Sequence, residues 1–264
     1  MTSPLPELVD SHCHLDFADF DGEVDAIIAR AAEAGVRRMV TICTKLANEP
    51  QVRAIAEAYD GVFYAAGTHP MSAAEEPLAS VDHLIALSQH PKFVAIGETG
   101  LDYYYDKSDR EAQKSLFRMH IDVARETQLP IIIHTRDAED DTAEILADEM
   151  EQGGFPALIH CFTASADFAD KVLALGLTIS LSGIVTFKNA KELQEVAKVI
   201  PEDQLLVETD SPFLAPVPHR GRVCEPAYVS DTAAFVAGLR GTDVEHLKKV
   251  TTANFFNLFS KAVR

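Results

Sequence analysis

Phe93-Val-Ala-Ile-Gly-Glu98 and Pro130-Ile-Ile-Ile-His134 share one design, a short apolar run closed by a residue that binds cations. Such a run is long enough for a strand and too short for a core helix, and its lack of alternation means that both faces are buried. The same pattern recurs at Leu8–His12, Met39–Cys43, Val62–Ala66, Ala157–His160, Thr178–Ser182 and Leu205–Glu208. Helical periodicity fills the intervals. Asp21–Ala34 stops at Gly35, Glu111–Thr127 places Leu116, Met119 and Val123 on one face, Asp167–Leu175 stops at Gly176, and Ala190–Val199 stops before Pro201. Eight buried strands alternating with helices predict an α/β fold, a single (β/α)8 TIM-type barrel with its functional groups at the C-terminal strand ends. No Pro, Gly or Ser linker and no repeat divides the 264 residues, so one unit is expected over 1–264. The tail from Thr251 to Phe259 reads as a helix whose Phe255, Phe256, Leu258 and Phe259 plug the barrel.

Six residues of ligand type fall at the strand ends: His12, His14, Glu98, His134, His160 and Asp210. His12 and His14 are two apart, so strand alternation turns both imidazoles to one face and Cys13 to the other. Neutral imidazole is the commonest ligand of zinc-like ions, and two on one face make half a metal site. Glu98 follows a buried strand, where a carboxylate is costly unless paired or metal-bound; it either bridges two cations or caps the following turn. No lysine stands there, which argues against barrels that bridge metals with a carboxylated lysine. Histidines closing two successive strands, at 134 and 160, are hard to explain as packing. Asp210 suits weak metal binding and the general base that takes a proton from water. Glu208 falls on the same face by alternation, as a support behind the ligands or a salt-bridge partner. Arg136 offers either a planar fork for phosphate or an ion pair with Asp102 or Asp137.

Bulk properties narrow the function. The net charge is −18, which argues against a broad, sequence-independent grip on nucleic acid. Bound divalent cations change the local sign, so a chain end entering a pocket is still compatible with that charge. No apolar run approaches the ~18 residues of a membrane span and no signal-peptide pattern opens the chain, so a cytoplasmic location without membrane contact is expected. Cys13, Cys43, Cys161 and Cys224 form no CxxC pair and read as reduced thiols. A long loop, Ser211 to Pro226, carries Pro212, Pro216, Pro218, Gly221 and Pro226 after the last strand.

Taken together, these segments resemble the TatD family of metal-dependent deoxyribonucleases, amidohydrolase-like barrels. The resemblance rests on Asp10-Ser-His-Cys-His-Leu-Asp16, Gly97-Glu-Thr-Gly-Leu-Asp-Tyr103, Ile131-Ile-Ile-His-Thr-Arg-Asp-Ala138, His160-Cys-Phe-Thr163, Glu208-Thr-Asp-Ser-Pro-Phe-Leu-Ala-Pro216, Arg220-Gly-Arg and Thr252-Ala-Asn-Phe. It covers essentially the whole chain. Three departures, at Thr68, Ala164 and Arg222-Val-Cys-Glu225, touch no proposed ligand and bear on substrate contacts in the last loop.

The resemblance implies a (β/α)8 barrel holding two divalent ions of Mg, Mn or Zn type. His12, His14 and Glu98 would hold one; Glu98, His134 and His160 would hold the other; Asp210 would complete the site, with Glu98 and Asp210 as its catalytic carboxylates. It also implies His69, in Gly67-Thr-His-Pro70, near the scissile phosphate beside Arg136; on residues alone His69 reads equally well as a loop histidine before a proline. The expected activity is 3′–5′ exonucleolytic phosphodiester hydrolysis on DNA, single-stranded or with an accessible 3′ end. The alternatives are a D-aminoacyl-tRNA deacylase acting on tRNA, a small-molecule amidohydrolase or lactonase, and a non-catalytic protein with structural metal.

Overall fold

The computed structural model describes residues 7–75, 80–105 and 107–263; Met1–Pro6 and Arg264, the ends of the expected unit, lie outside them. Eight strands form one sheet in the order of the sequence: β1 Leu8–Cys13, β2 Val36–Cys43, β3 Val62–Ala66, β4 Phe93–Asp102, β5 Ile131–Arg136, β6 Ala157–Ile159, β7 Thr178–Leu181 and β8 Leu205–Val207. All neighbouring pairs are parallel. The sheet closes between its ends. The Asp210 N–H donates to the His12 carbonyl at 2.9 Å, the His14 N–H donates to the Ser211 carbonyl at 2.8 Å, and Cys13 bridges Ser211 in parallel. The result is the expected (β/α)8 barrel.

Helices follow the strands because each crossover between parallel neighbours must return along the outside of the barrel. They are α1 Val24–Glu33, α2 Glu49–Ala58, α3 Val81–Ser88, α4 Arg110–Thr127, α5 Glu139–Gln152, α6 Ala166–Ala174, α7 Lys191–Val199, α8 Val229–Arg240 and α9 Val244–Leu258. Several begin where a side chain accepts from the first free N–H groups, as Asp109 does for Glu111 and Ala112 and Ser165 does for Phe168.

Two apolar clusters divide the core. The larger lies between strands and helices, with Tyr64, Phe93, Ile131, Ile133 and Phe117 among its members. The smaller fills the barrel with Val40, Ile42, Phe63, Val94, Ile132, Leu158 and Leu206, and Phe255 and Phe259 close it from the end of α9. The tail is therefore the plug its sequence implied. Strand β4 is longer than expected: it continues past Glu98 to Asp102 because Thr99–Asp102 pair with Ile133–Arg136 of β5. The extension carries Asp102 into register beside the site.

Candidate metal centre

The mouth of the barrel gathers all six expected ligands. Glu98 stands at the middle. Its Oε1 lies 2.8 Å from His160 Nε2, 3.1 Å from His134 Nδ1 and 3.5 Å from His69 Nε2, and its Oε2 lies 3.4 Å from His12 Nε2. On the other side, His14 Nε2 is 3.3 Å from His12 Nε2 and 3.3 Å from Asp210 Oδ1. His12 Nε2 also lies 3.6 Å from Asp210 Oδ1. Three overlapping groups bring ligand-type residues together: His12, Glu98 and His160; His12, His14 and Asp210; His69, Glu98 and His134. His160 stacks on His12, ring centroids 4.0 Å apart, while its Nε2 and His134 Nδ1 both face Glu98 Oε1, and His69 enters beside Glu98.

Local backbone geometry explains how Glu98 reaches this point. A Cβ on Gly67 would sit 2.6 Å from the Gly97 Cα, so the end of β3 approaches β4 this closely only because residue 67 is glycine, and a Cβ on Gly97 would meet the Ile132 carbonyl of β5 at 2.6 Å. Gly100, at φ +135°, faces the His134 carbonyl, and a side chain there would run into it. Asp210 arrives differently. It is not on the β8 pleat but three residues beyond, at φ +58°, so alternation with Glu208 is broken. The Asp10 carboxylate fixes this turn by accepting from the backbone N–H and the hydroxyl of Thr209.

The outer nitrogens decide which imidazoles can bind a cation. His14 Nδ1 faces the Ile42 carbonyl at 3.3 Å, His160 Nδ1 faces Glu208 at 3.2 Å, and His134 Nε2 faces Asp102 at 3.0 Å. Each of these three outer nitrogens has an acceptor, which assigns it the proton and leaves the inner lone pair aimed into the site. That is the donor set a divalent cation requires. His69 is wired in the opposite sense: its Nδ1 accepts the Met71 N–H at 3.2 Å, which puts the proton on Nε2, facing Glu98. His69 therefore presents a donor, not a lone pair. Glu208, expected as support or salt-bridge partner, supports: its Oε1 accepts from His160 Nδ1 and from the Cys161 N–H at 2.7 Å.

Electrostatics follow from this wiring. Burial alone would raise Glu98, but His160, His69, His12 and His134 hold its carboxyl well below the usual range. Burial would likewise raise Asp210, and His14 and His12 hold it down. Burial would lower His160, yet Glu98 and Glu208 hold it well above its ordinary value, so a proton competes with a cation for Nε2. Burial and His160 lower His12.

Arg136 sits on the rim. It makes neither alternative ion pair; its guanidinium lies over the Tyr104 ring at 3.8 Å and the Tyr105 ring at 4.9 Å, while Asp102 pairs with His134. Asp102, offered by the sequence only as one possible ion-pair partner of Arg136, instead supports the ligand His134. Its position four residues after Glu98 is a usable signal only once β4 is known to continue that far.

The geometry agrees with what the chain resembles. The model of the TatD related DNase family matches residues 9–260. The chain belongs to the TatD family. It is 45% identical over 257 residues to the uncharacterized metal-dependent hydrolase YcfH of Escherichia coli K12, covering 96% of this chain and 95% of that one. It is 34% identical over 258 residues to a protein of Klebsiella pneumoniae named 3′-5′ ssDNA/RNA exonuclease TatD, covering 96% and 97% of the two chains. The crystal structure of the TatD homologue YjjV from E. coli K12 superposes with a TM-score of 0.89 at 30% identity, over 97% of this chain and 99% of that one. Among the described residues no helix is long and apolar enough to cross a membrane.

Proposed function

We propose that this TatD-family protein is a metal-dependent hydrolase that cleaves phosphodiester bonds of DNA from an accessible 3′ end. The observation that carries the reading is the position of Glu98: both its oxygens face histidines, Oε2 towards His12 and Oε1 towards His134 and His160, so this carboxylate would hold cations together with the histidines on either side. Paired divalent sites suit in-line displacement at phosphorus. The Klebsiella relative's name points to the same substrate class.

His12, His14, Glu98, His134, His160 and Asp210 would hold the cations. When bound, these supply Lewis acidity that lowers the pKa of water and offsets charge on the phosphoryl oxygens. The chain's own groups do the rest. Asp210, ionised and with its side chain 15% exposed against 4% for Glu98, is the carboxylate open to the mouth and accepts the proton of the attacking water. His69 directs its Nε2–H inward to a phosphoryl oxygen, held in that tautomer by the Met71 N–H. Arg136 places a planar fork at the rim, stiffened by Tyr104 and Tyr105, where the phosphate backbone of the substrate enters. With a net charge of −18 over the whole chain, polyanion binding is confined to these positions at the mouth.

A substrate comparison tests the proposal. Metal-reconstituted protein is assayed on single-stranded DNA, D-aminoacyl-tRNA and a panel of lactones and amides. Turnover of DNA well above the others supports it. Turnover of the tRNA ester without DNA cleavage would replace it.

A further inference from the structure

We infer that Phe213, backed by Phe17, is the surface on which the base of the nucleotide being cleaved stacks. The inference deepens the nuclease reading above and rests on it.

Single exposed large apolar side chains are ordinary, but several gathered at one place mark an interaction site. Among the described residues the exposed ones are Tyr104, Tyr105, Phe213, Val217, Val223, Val199 and Val263. The first five lie on the segments that follow β4 and β8, at the mouth of the barrel. Tyr104 and Tyr105 already have partners, since they meet edge to face at 5.0 Å and lie under Arg136. Phe213 is different. It is 50% exposed and meets Phe17 edge to face at 5.8 Å.

Phe213 is also tied to the reacting centre. Its N–H donates to the Asp210 carbonyl at 3.0 Å, so its position is set by the same turn that places the proposed base. Phe17 stacks on His14 at 4.6 Å, and Phe213 lies 6.5 Å from the His14 ring. An unbroken aromatic path thus runs from a proposed ligand to solvent. Its span is comparable to that between a phosphate and the base of the same nucleotide. A ring there adds little to a lactone or a small amide. It suits a nucleobase of any identity, because every base has a π-face and stacking does not read sequence.

The test uses the full-length protein and two readouts. The first is steady-state cleavage of single-stranded DNA with a normal 3′-terminal nucleotide or an abasic one. In wild type the abasic end should raise KM about tenfold with little change in kcat. Phe213→Ala should raise KM about tenfold on normal DNA and abolish the abasic penalty, and Phe213→Trp should restore both. The second is binding of an oligonucleotide carrying 2-aminopurine at a phosphorothioate-protected 3′ end. Its fluorescence should be quenched by wild type and Phe213→Trp and stay bright with Phe213→Ala. Because Phe213 is half exposed, its truncation leaves the core intact. Wild-type cleavage with the same KM and quench in Phe213→Ala would overturn the inference and leave the nuclease reading in place. Absence of DNA cleavage by wild type would overturn both.

Discussion

Asp102 and His134 are joined by a 3.0 Å hydrogen bond that links the rim of the barrel to its centre. The other oxygen of Asp102 accepts from the Tyr104 and Tyr105 N–H groups, both at 3.0 Å. One carboxylate therefore orients a ligand imidazole and the turn on which Arg136 rests. Burial would raise the Asp102 carboxyl, and His134 together with the Tyr105 N–H holds it below its ordinary range.

Asp102→Asn should keep this shape and invert its polarity. The amide oxygen still accepts from the turn, but the NH2 now faces His134 Nε2 and drives the proton to Nδ1, the nitrogen that faces Glu98. Cation affinity should fall about 10- to 100-fold with no large change in Tm. Titration of metal-stripped protein with Mn or Zn reads this directly, and unchanged affinity would refute the orienting role.

Asp210→Asn removes the proton acceptor and keeps the side-chain volume. Turnover should fall about 10³-fold while the fold persists. Circular dichroism beside initial rates separates the two effects. A near-native rate would remove Asp210 from the proposed chemistry.

Arg136→Ala should raise KM for single-stranded DNA about tenfold, the loss expected for hydrogen bonds to a charged group. Arg136→Lys should not restore it, because lysine lacks both the planar fork and the stack over Tyr104. Recovery by lysine would mean that charge alone matters.

His120 controls acid stability from behind the site. It lies on α4, donates from Nδ1 to the Leu116 carbonyl at 2.9 Å and accepts the Thr68 N–H at Nε2, 3.2 Å away, next to His69. Burial pulls its imidazole from 6.5 down to about 4. In that window the unfolded chain binds a proton that the folded protein excludes, so stability falls as pH falls. The contribution is complete above pH ~6.5 and shrinks by about 3 kcal/mol as pH approaches 4. His120→Gln keeps an acceptor for Thr68 and does not titrate. Urea midpoints of the two proteins should therefore converge as pH falls from 7 to 5, the variant starting lower. A constant gap would show that His120 does not titrate in this window.

The barrel was legible because its strands carry continuous apolar runs with ligand-type residues at their ends, and every strand overlaps its expected span. Less legible was whatever depends on pairing between strands. Phe93–Gly97 has no internal sign that β4 continues to Asp102; only its register with β5 makes it do so. Alternation placed Glu208 and Asp210 on one face, and the positive φ of Asp210, held by the bonds from Thr209 to Asp10, separates them. Arg136 looked equally suited to an ion pair or a phosphate, and neither option included the tyrosines that lie next to it. His69 carried no signal of its own, since its tautomer depends on the Met71 N–H of the turn that follows.

Phosphodiester hydrolysis should depend on cations that Glu98 helps to hold. The most direct measurement is the cleavage of 5′-labelled single-stranded DNA by metal-stripped wild type and Glu98→Gln, with Mg, Mn or Zn restored to each. A ladder shortening from the 3′ end, present only in wild type and only with metal, is the predicted result. An equal ladder from Glu98→Gln, or one that forms without added metal, would contradict the account.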